Sequence, residues 1–221
     1  GGLHAEMAAL SQIKDRDLSQ ATVYSTLEPC SHQGHTGPCA TALCNKQVKR
    51  VVAAMSDPNP LVHGKGFKQL QEAGIQTACG LLEQEARTIN RGFLSRFERQ
   101  RPFVILKTAS SLDGKIALKN GVSQWITHEY SRMQVQEDRA QSCAILTGSG
   151  TVLKDNPRLT VRHLRTARQP VRIILDSKLR TPLSSTIIED TTSPTWLVTL
   201  SQEQRKIKQL QALPHIRIIT G

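Results

Sequence analysis

Near the start of the chain stand four side chains whose types and spacing can do metal chemistry. They are His4 and Glu6 in the tripeptide HAE, and Cys30 and Cys39 in TLEPCSHQGHTGPC. Zinc favours nitrogen and sulfur donors in tetrahedral geometry, and three protein ligands leave the fourth position to water. Two thiolates and a neutral imidazole make such a centre formally neutral. Its water is then less acidic than at a three-histidine centre, so a carboxylate that takes the water proton has a clear use. Glu6 is the natural candidate. Residues two apart in a regular helix point about 200° apart, so His4 and Glu6 share a site only if His4 precedes the helix in non-helical backbone. Pro38 suits a helix start at Cys39, and a helix N-terminus favours thiolate.

Each signal is weak alone. HAE is more often the start of a surface helix, a lone cysteine pair is more often two unrelated thiols, and the loop could also close a disulfide or simply turn. Taken together, with a strand between the two motifs and a proline before each cysteine, they favour zinc. His32, His35 and Cys44 are donors by type. The two histidines are better placed to line the site or bind substrate, and Cys44 to fill a core.

The rest of the chain must position these groups. Its 221 residues suffice for one large or two modest domains. Hydrophobic content of 38% and 21% mixed-sign charge exclude general disorder. No apolar run approaches the roughly 20 residues of a membrane span, and no signal peptide is evident. Five cysteines without a secretory signal point to reduced thiols in the cytoplasm. A net charge of +11 suits nucleic acid or an anionic small molecule equally, but aromatics at 4% offer few stacking platforms for bases. With no initiator Met and a motif three residues in, the chain reads as cut from a longer protein at both ends.

A βαβα rhythm runs through the first half: a helix over 5–18, a strand over 22–27, a helix from Cys39 and a strand around Val51. A loop at SDPNPLVHGKG then precedes a helix capped by Gly74, the strand IQTACG and one helix over LLEQEARTINRGF. The arginine-rich FLSRFERQRP marks a boundary, giving units of 1–98 and 99–221. The second half begins with a strand over 103–108, a turn at Asp113 and Gly114 and a helix over 128–141. Strands over 144–146, 171–175, 195–199 and 216–219 and a helix over 202–213 complete it. Two α/β units result. TGSG after a strand could offer backbone N–H groups to a phosphate, although a lone Gly-x-Gly is more often an ordinary loop. Arg139 and Arg162 could clamp a phosphate, and Trp125 is expected in a core unless a flat ring binds beside it.

HAE followed by proline-preceded cysteines resembles the zinc nucleoside deaminases of pattern H-x-E…P-C-x-x-C, except that eight residues, not two, separate Cys30 from Cys39. TLEPCSHQGHTGPC with SDPNPLVHGKG is similar to the deaminase domain of the bifunctional riboflavin-biosynthesis deaminase/reductases. SLDGKIALKNGVSQWIT and ILTGSGTVLKDNPRLTVR resemble the reductase domain of the same family.

That resemblance implies a cytidine-deaminase-like three-layer domain followed by a dihydrofolate-reductase-like α/β domain, both incomplete. It implies zinc held by His4, Cys30 and Cys39, with Glu6 as proton carrier, in the deamination of 2,5-diamino-6-ribosylamino-4(3H)-pyrimidinone 5′-phosphate. It implies NADPH contacts from Ala109, Trp125, Thr151, Asp155 and Ser177, and substrate contacts from Ser123, Arg139, Leu159 and Arg162, in reduction of the ribosyl group to ribityl. The partner is then a small phosphorylated pyrimidine, with no nucleic acid and no membrane, and the reading admits a homo-oligomer. The competing expectation is a zinc-dependent deaminase or zinc-stabilised binding protein acting on nucleic acid.

Overall fold

The computed structural model describes residues 2–13, 16–33 and 37–221. The chain divides into two compact units, Gly1–Leu106 and Lys107–Gly221. Among the described residues no helix is long and apolar enough to cross a membrane.

The first unit holds three parallel strands in the order β1 (Thr22–Ser25), β2 (Arg50–Ala53), β3 (Gln76–Cys79), with Tyr24, Val52 and Ala78 in register. Val51, Val52 and Ala53 of the central strand are all buried, as a parallel strand covered on both faces requires. Among the described residues five helices accompany the sheet: α1 (Ala5–Gln12), α2 (Cys39–Asn45), α3 (Lys65–Glu72), α4 (Glu83–Ile89) and α5 (Arg91–Glu98). Val51 packs with Ala40 and Leu43 of α2 and Leu70 of α3, and Leu10 of α1 leans on this cluster. Ala54 and Met55 form a second cluster with Ala86 and Leu94 of α4 and α5. Gly74 takes φ 78°, the left-handed conformation expected of a residue that closes α3. Two expectations need correction. The first helix stops at Gln12 rather than running to Leu18, and LLEQEARTINRGF is two helices. The break falls at Asn90, the C-cap of α4 and N-cap of α5, whose backbone and side-chain amides both donate to the Ala86 carbonyl, at 3.1 and 2.9 Å.

The second unit is a four-stranded, all-parallel sheet in the order β4 (Ala144–Gly148), β5 (Val171–Leu175), β6 (Thr195–Thr199), β7 (Ile216–Thr220). Its helices are α6 (Glu129–Gln141), α7 (Ser149–Asp155), α8 (Thr186–Glu189) and α9 (Gln204–Gln211). One face of the sheet is sealed: Ile174, Leu197 and Ile216 pack with Val152 of α7, Ile187 and Ile188 of α8, and Ile207 and Leu210 of α9. Arg172 is fully buried on this face beside Asp190 at 3.5 Å, and donates to the carbonyls of Arg158, Asp190 and Ser193. The residues of the opposite register stay more open, Leu146 at 62% exposure and Leu175 at 49%.

The strand expected over 103–108 is absent among the described residues. Val104 is 78% exposed and Leu106 85%, so the run buries little apolar surface. Strand-forming composition makes a strand only where a neighbouring backbone completes the ladder, and here none does.

Candidate metal centre and ligand-binding residues

His4 is the N-cap of α1, with extended backbone at φ −63° and ψ 155°, and Glu6 sits in the first turn. Pro38 is likewise the extended N-cap of α2, so Cys39 opens that helix. These two helix starts, with Cys30 in the segment after β1, converge. His4 Nδ1 lies 3.5 Å from Cys30 Sγ and 3.4 Å from Cys39 Sγ, and all three donor atoms fall within 4.8 Å of one another. Glu6 Oε2 is 3.6 Å from Cys39 Sγ. The backbone N–H of Cys39 donates to Cys30 Sγ at 3.4 Å, a bond suited to a sulfur carrying negative charge.

The donor set fits zinc. Ligand lengths of about 2.0 Å to nitrogen and 2.3 Å to sulfur at tetrahedral angles place N and S about 3.5 Å apart, and the observed spacings are 3.4 and 3.5 Å. Both cysteines are buried while His4 is exposed, so the cluster opens on the histidine side. Burial pushes the Cys39 thiol well up, and the charges of Glu6 and Cys30 push it further. A divalent cation is the natural partner for such a negatively biased cluster. Cys44 lies apart from it, packed against the core around Leu43, its thiol pushed up by burial. His32 is exposed and near enough to Asp57 for its charge to act on that carboxyl. His35 lies outside the described residues.

In the second unit, Thr151 and Asp155 lie on α7 directly after β4, and Ser177 follows β5. Thr151 and Ser177 therefore lie near the carboxyl ends of adjacent parallel strands, where open α/β sheets bind ligands, while Asp155 is the last residue of α7. Asp176, fully buried, fastens this edge. Its carboxylate accepts N–H bonds from Arg180 at 2.9 Å and Thr181 at 2.7 Å, and Arg180 bonds the Ser149 hydroxyl at 3.0 Å. TGSG is thus the end of β4 running into α7 rather than a free loop. Arg139 and Arg162 come together: Arg139 Nη1 bonds the Thr160 carbonyl at 3.1 Å, and the Arg162 N–H bonds Gln136 Oε1 at 2.9 Å. Burial and then the Arg162 charge lower the Arg139 pKa.

The remaining expected contacts are less gathered. Ala109 and Ser123 are half-buried in irregular segments, with no hydrogen bond to Thr151, Asp155 or Ser177 among the described residues. Leu159 turns its side chain onto the core cluster, with its own backbone at φ 55°. Trp125 is not in a core. It is 70% exposed, and the Arg132 guanidinium stacks 4.3 Å from its ring centre. Among the described residues no core cluster includes it.

Residues 102–219 match the family described as the RibD C-terminal domain, and residues 1–55 match the cytidine and deoxycytidylate deaminase zinc-binding region. The chain belongs to the RibD family. The riboflavin biosynthesis protein RibD of Aquifex aeolicus is 42% identical over 221 residues, covering 100% of this chain and 62% of that protein. That of Escherichia coli is 44% identical over 218 residues, covering 93% and 59%. Among solved structures, RibD of Acinetobacter baumannii superposes with TM-score 0.88 at 41% identity, over 100% of this chain and 61% of that one. The diaminohydroxyphosphoribosylaminopyrimidine deaminase/5-amino-6-(5-phosphoribosylamino)uracil reductase of Thermotoga maritima gives TM-score 0.85 at 36% identity, over 100% and 68%.

The chain spans 62% and 59% of the two RibD sequences. RibD membership accounts for both units, a deaminase-type fold followed by the RibD reductase-type fold. It gives no support to the nucleic-acid alternative. Motif reading passed over Glu28, a buried carboxylate between β1 and α2. The signal was nonetheless present: an acid beside a zinc-ligand loop, and two glycines in HGKG able to bring backbone N–H groups close.

Proposed function

We propose that this chain carries both catalytic units of a RibD-type enzyme of riboflavin biosynthesis, a deaminase over 1–98 and a reductase over 99–221. The single observation that carries the reading is the convergence of His4, Cys30 and Cys39, with Glu6 against Cys39.

His4 Nδ1 and the sulfurs of Cys30 and Cys39 would hold zinc. Zinc held there supplies Lewis acidity, making water a usable nucleophile near neutral pH. Glu6 accepts the proton of the attacking water at Oε2 and passes it to the departing amino group of the diaminopyrimidinone 5′-phosphate. Water is consumed, the ring C–N bond breaks, ammonia leaves and a uracil remains. The N–H of Cys39 steadies the Cys30 sulfur throughout.

In the second unit, Arg139 and Arg162 hold the substrate phosphate, with Ser123 and Leu159 contacting the rest of the molecule. Thr151, Asp155 and Ser177 would hold NADPH, with Ala109 and Trp125 beside it. NADPH supplies the hydride that turns the opened ribosyl group into ribityl. The protein's own part is to orient cofactor and sugar. Five free thiols favour a reducing compartment, which we take to be the cytoplasm.

The experiment is to incubate the zinc-loaded protein with the diaminopyrimidinone phosphate and NADPH. Ammonia release followed by loss of NADPH absorbance is expected. Zinc-loaded protein that does neither contradicts the reading.

A further inference from the structure

Glu28 is 3% exposed and lies two residues before Cys30. Its carboxylate is fully engaged by backbone N–H groups of one distant segment. Oε2 accepts from Asp57 at 3.2 Å and Gly64 at 3.0 Å, and Oε1 accepts from Gly66 at 3.0 Å and Phe67 at 3.4 Å. Gly64 is the N-cap of α3, and Gly66 and Phe67 lie in its first turn. The carboxylate therefore caps this helix from elsewhere in the chain, satisfying N–H groups that have no partner inside the helix. Glu28 is tied at its backbone too, donating its N–H to the Met55 carbonyl at 3.0 Å.

The same contact brings α3 against the ligand segment. A Cβ at Gly66 would sit 1.9 Å from the carbonyl oxygen of Pro29, the residue before Cys30, so only glycine permits this approach. Between the anchored residues Asp57 and Gly64 lies Val62, which is 1% exposed and packs directly on Cys30 and Cys39 with Met7 alongside. One carboxylate thus fixes both the backbone leading into Cys30 and the loop that walls the two sulfurs.

We infer that Glu28 is a positioning residue for the metal centre. It holds Cys30 in register with Cys39 and His4 by locking the 57–67 segment, and it touches neither metal nor substrate. The inference rests on the zinc reading above. An outer residue that orients a ligand changes metal affinity by about 10- to 100-fold when altered, whereas a residue serving stability alone leaves the affinity of the folded protein unchanged.

The test compares wild type, Glu28→Gln and Glu28→Asp. Zinc affinity is measured by chelator competition, the cobalt(II) absorption spectrum reports ligand geometry, and amide exchange is followed at Gly64 and Gly66. Glu28→Gln, which puts an NH₂ where two N–H donors point, is expected to stay folded. Its zinc affinity should fall by about 10- to 100-fold, with an altered cobalt band and faster exchange at both glycines. Glu28→Asp, one methylene short, should fall between. A Glu28→Gln protein with wild-type zinc affinity and cobalt spectrum overturns the inference. So does one whose first unit fails to fold even in saturating zinc, since that assigns Glu28 to stability alone. Wild type that binds no zinc defeats the zinc reading first, and the inference with it, so the two failures are distinguishable.

Discussion

Cys39 Sγ lies 3.6 Å from Glu6 Oε2, joining the first residue of α2 to the first turn of α1. The contact sets the Glu6 carboxylate beside a sulfur whose thiol form is favoured by burial and by the negative groups around it. Removing zinc should therefore leave a poorly compensated cluster. Zinc at a thousand times its Kd stabilises a folded site by about 4 kcal/mol. A chelator titration followed by calorimetry should lower the melting transition of the first unit and leave that of the second unchanged. Equal shifts of both would contradict a site confined to the first unit.

Arg139 and Arg162 form no ion pair among the described residues, and the proximity of the second charge helps depress the first. Two cations facing one region are suited to a phosphate. Arg139→Ala should raise the reductase KM for the phosphorylated substrate by about tenfold to a hundredfold, the worth of one charged hydrogen bond. The KM for NADPH should barely change. Steady-state kinetics with each substrate varied in turn checks this.

Asp176 predicts an acid limit for the second unit. Burial pushes its carboxyl up, but the backbone N–H bonds from Thr181 and Arg180, with the nearby hydroxyls of Thr181 and Ser149, outweigh it and leave the pKa below the ordinary value. A carboxyl depressed on folding adds stability that is fully present above its unfolded pKa of about 4 and lost as pH falls below it. Wild type should lose more stability than Asp176→Asn on acidification from about pH 6 to about pH 3. At neutral pH the variant should be weaker by about 2 kcal/mol. Chemical denaturation across this range measures both effects.

Arg172 is fully buried, and its pKa is lowered by burial against the pull of Asp190. Arg172→Ala removes the cation beside Asp190 and the donor to three carbonyls on the sealed face of the sheet. The expected cost is about 3–5 kcal/mol, seen as a lower urea midpoint for the second unit with zinc binding unaffected.

That His4, Cys30 and Cys39 come together was legible in the sequence because it depends on local grammar: residue type, a proline before each cysteine, and helix starts that free His4 from helical geometry. Most parallel strands were legible for a similar reason, since runs such as VRIIL and TWLVT have the β-branched and aromatic content that a buried strand needs. What escaped depends on distant partners. The run over 103–108 has strand composition, but its state is decided by whether another backbone lies beside it. The break at Asn90 is the local exception, a cap residue shared by two helices inside a continuous helical pattern. Glu28 was passed over because its partners run from Asp57 to Phe67, far along the chain.

The most direct measurement uses Glu6→Gln, which keeps the shape of the side chain and removes its ability to take a proton. Zinc content and ammonia release are measured on the same preparation. Wild-type zinc occupancy is expected, with ammonia release down by at least about a hundredfold, the usual contribution of a positioned acid–base group. A zinc-loaded Glu6→Gln protein that releases ammonia at the wild-type rate would contradict the proton-carrying role of Glu6.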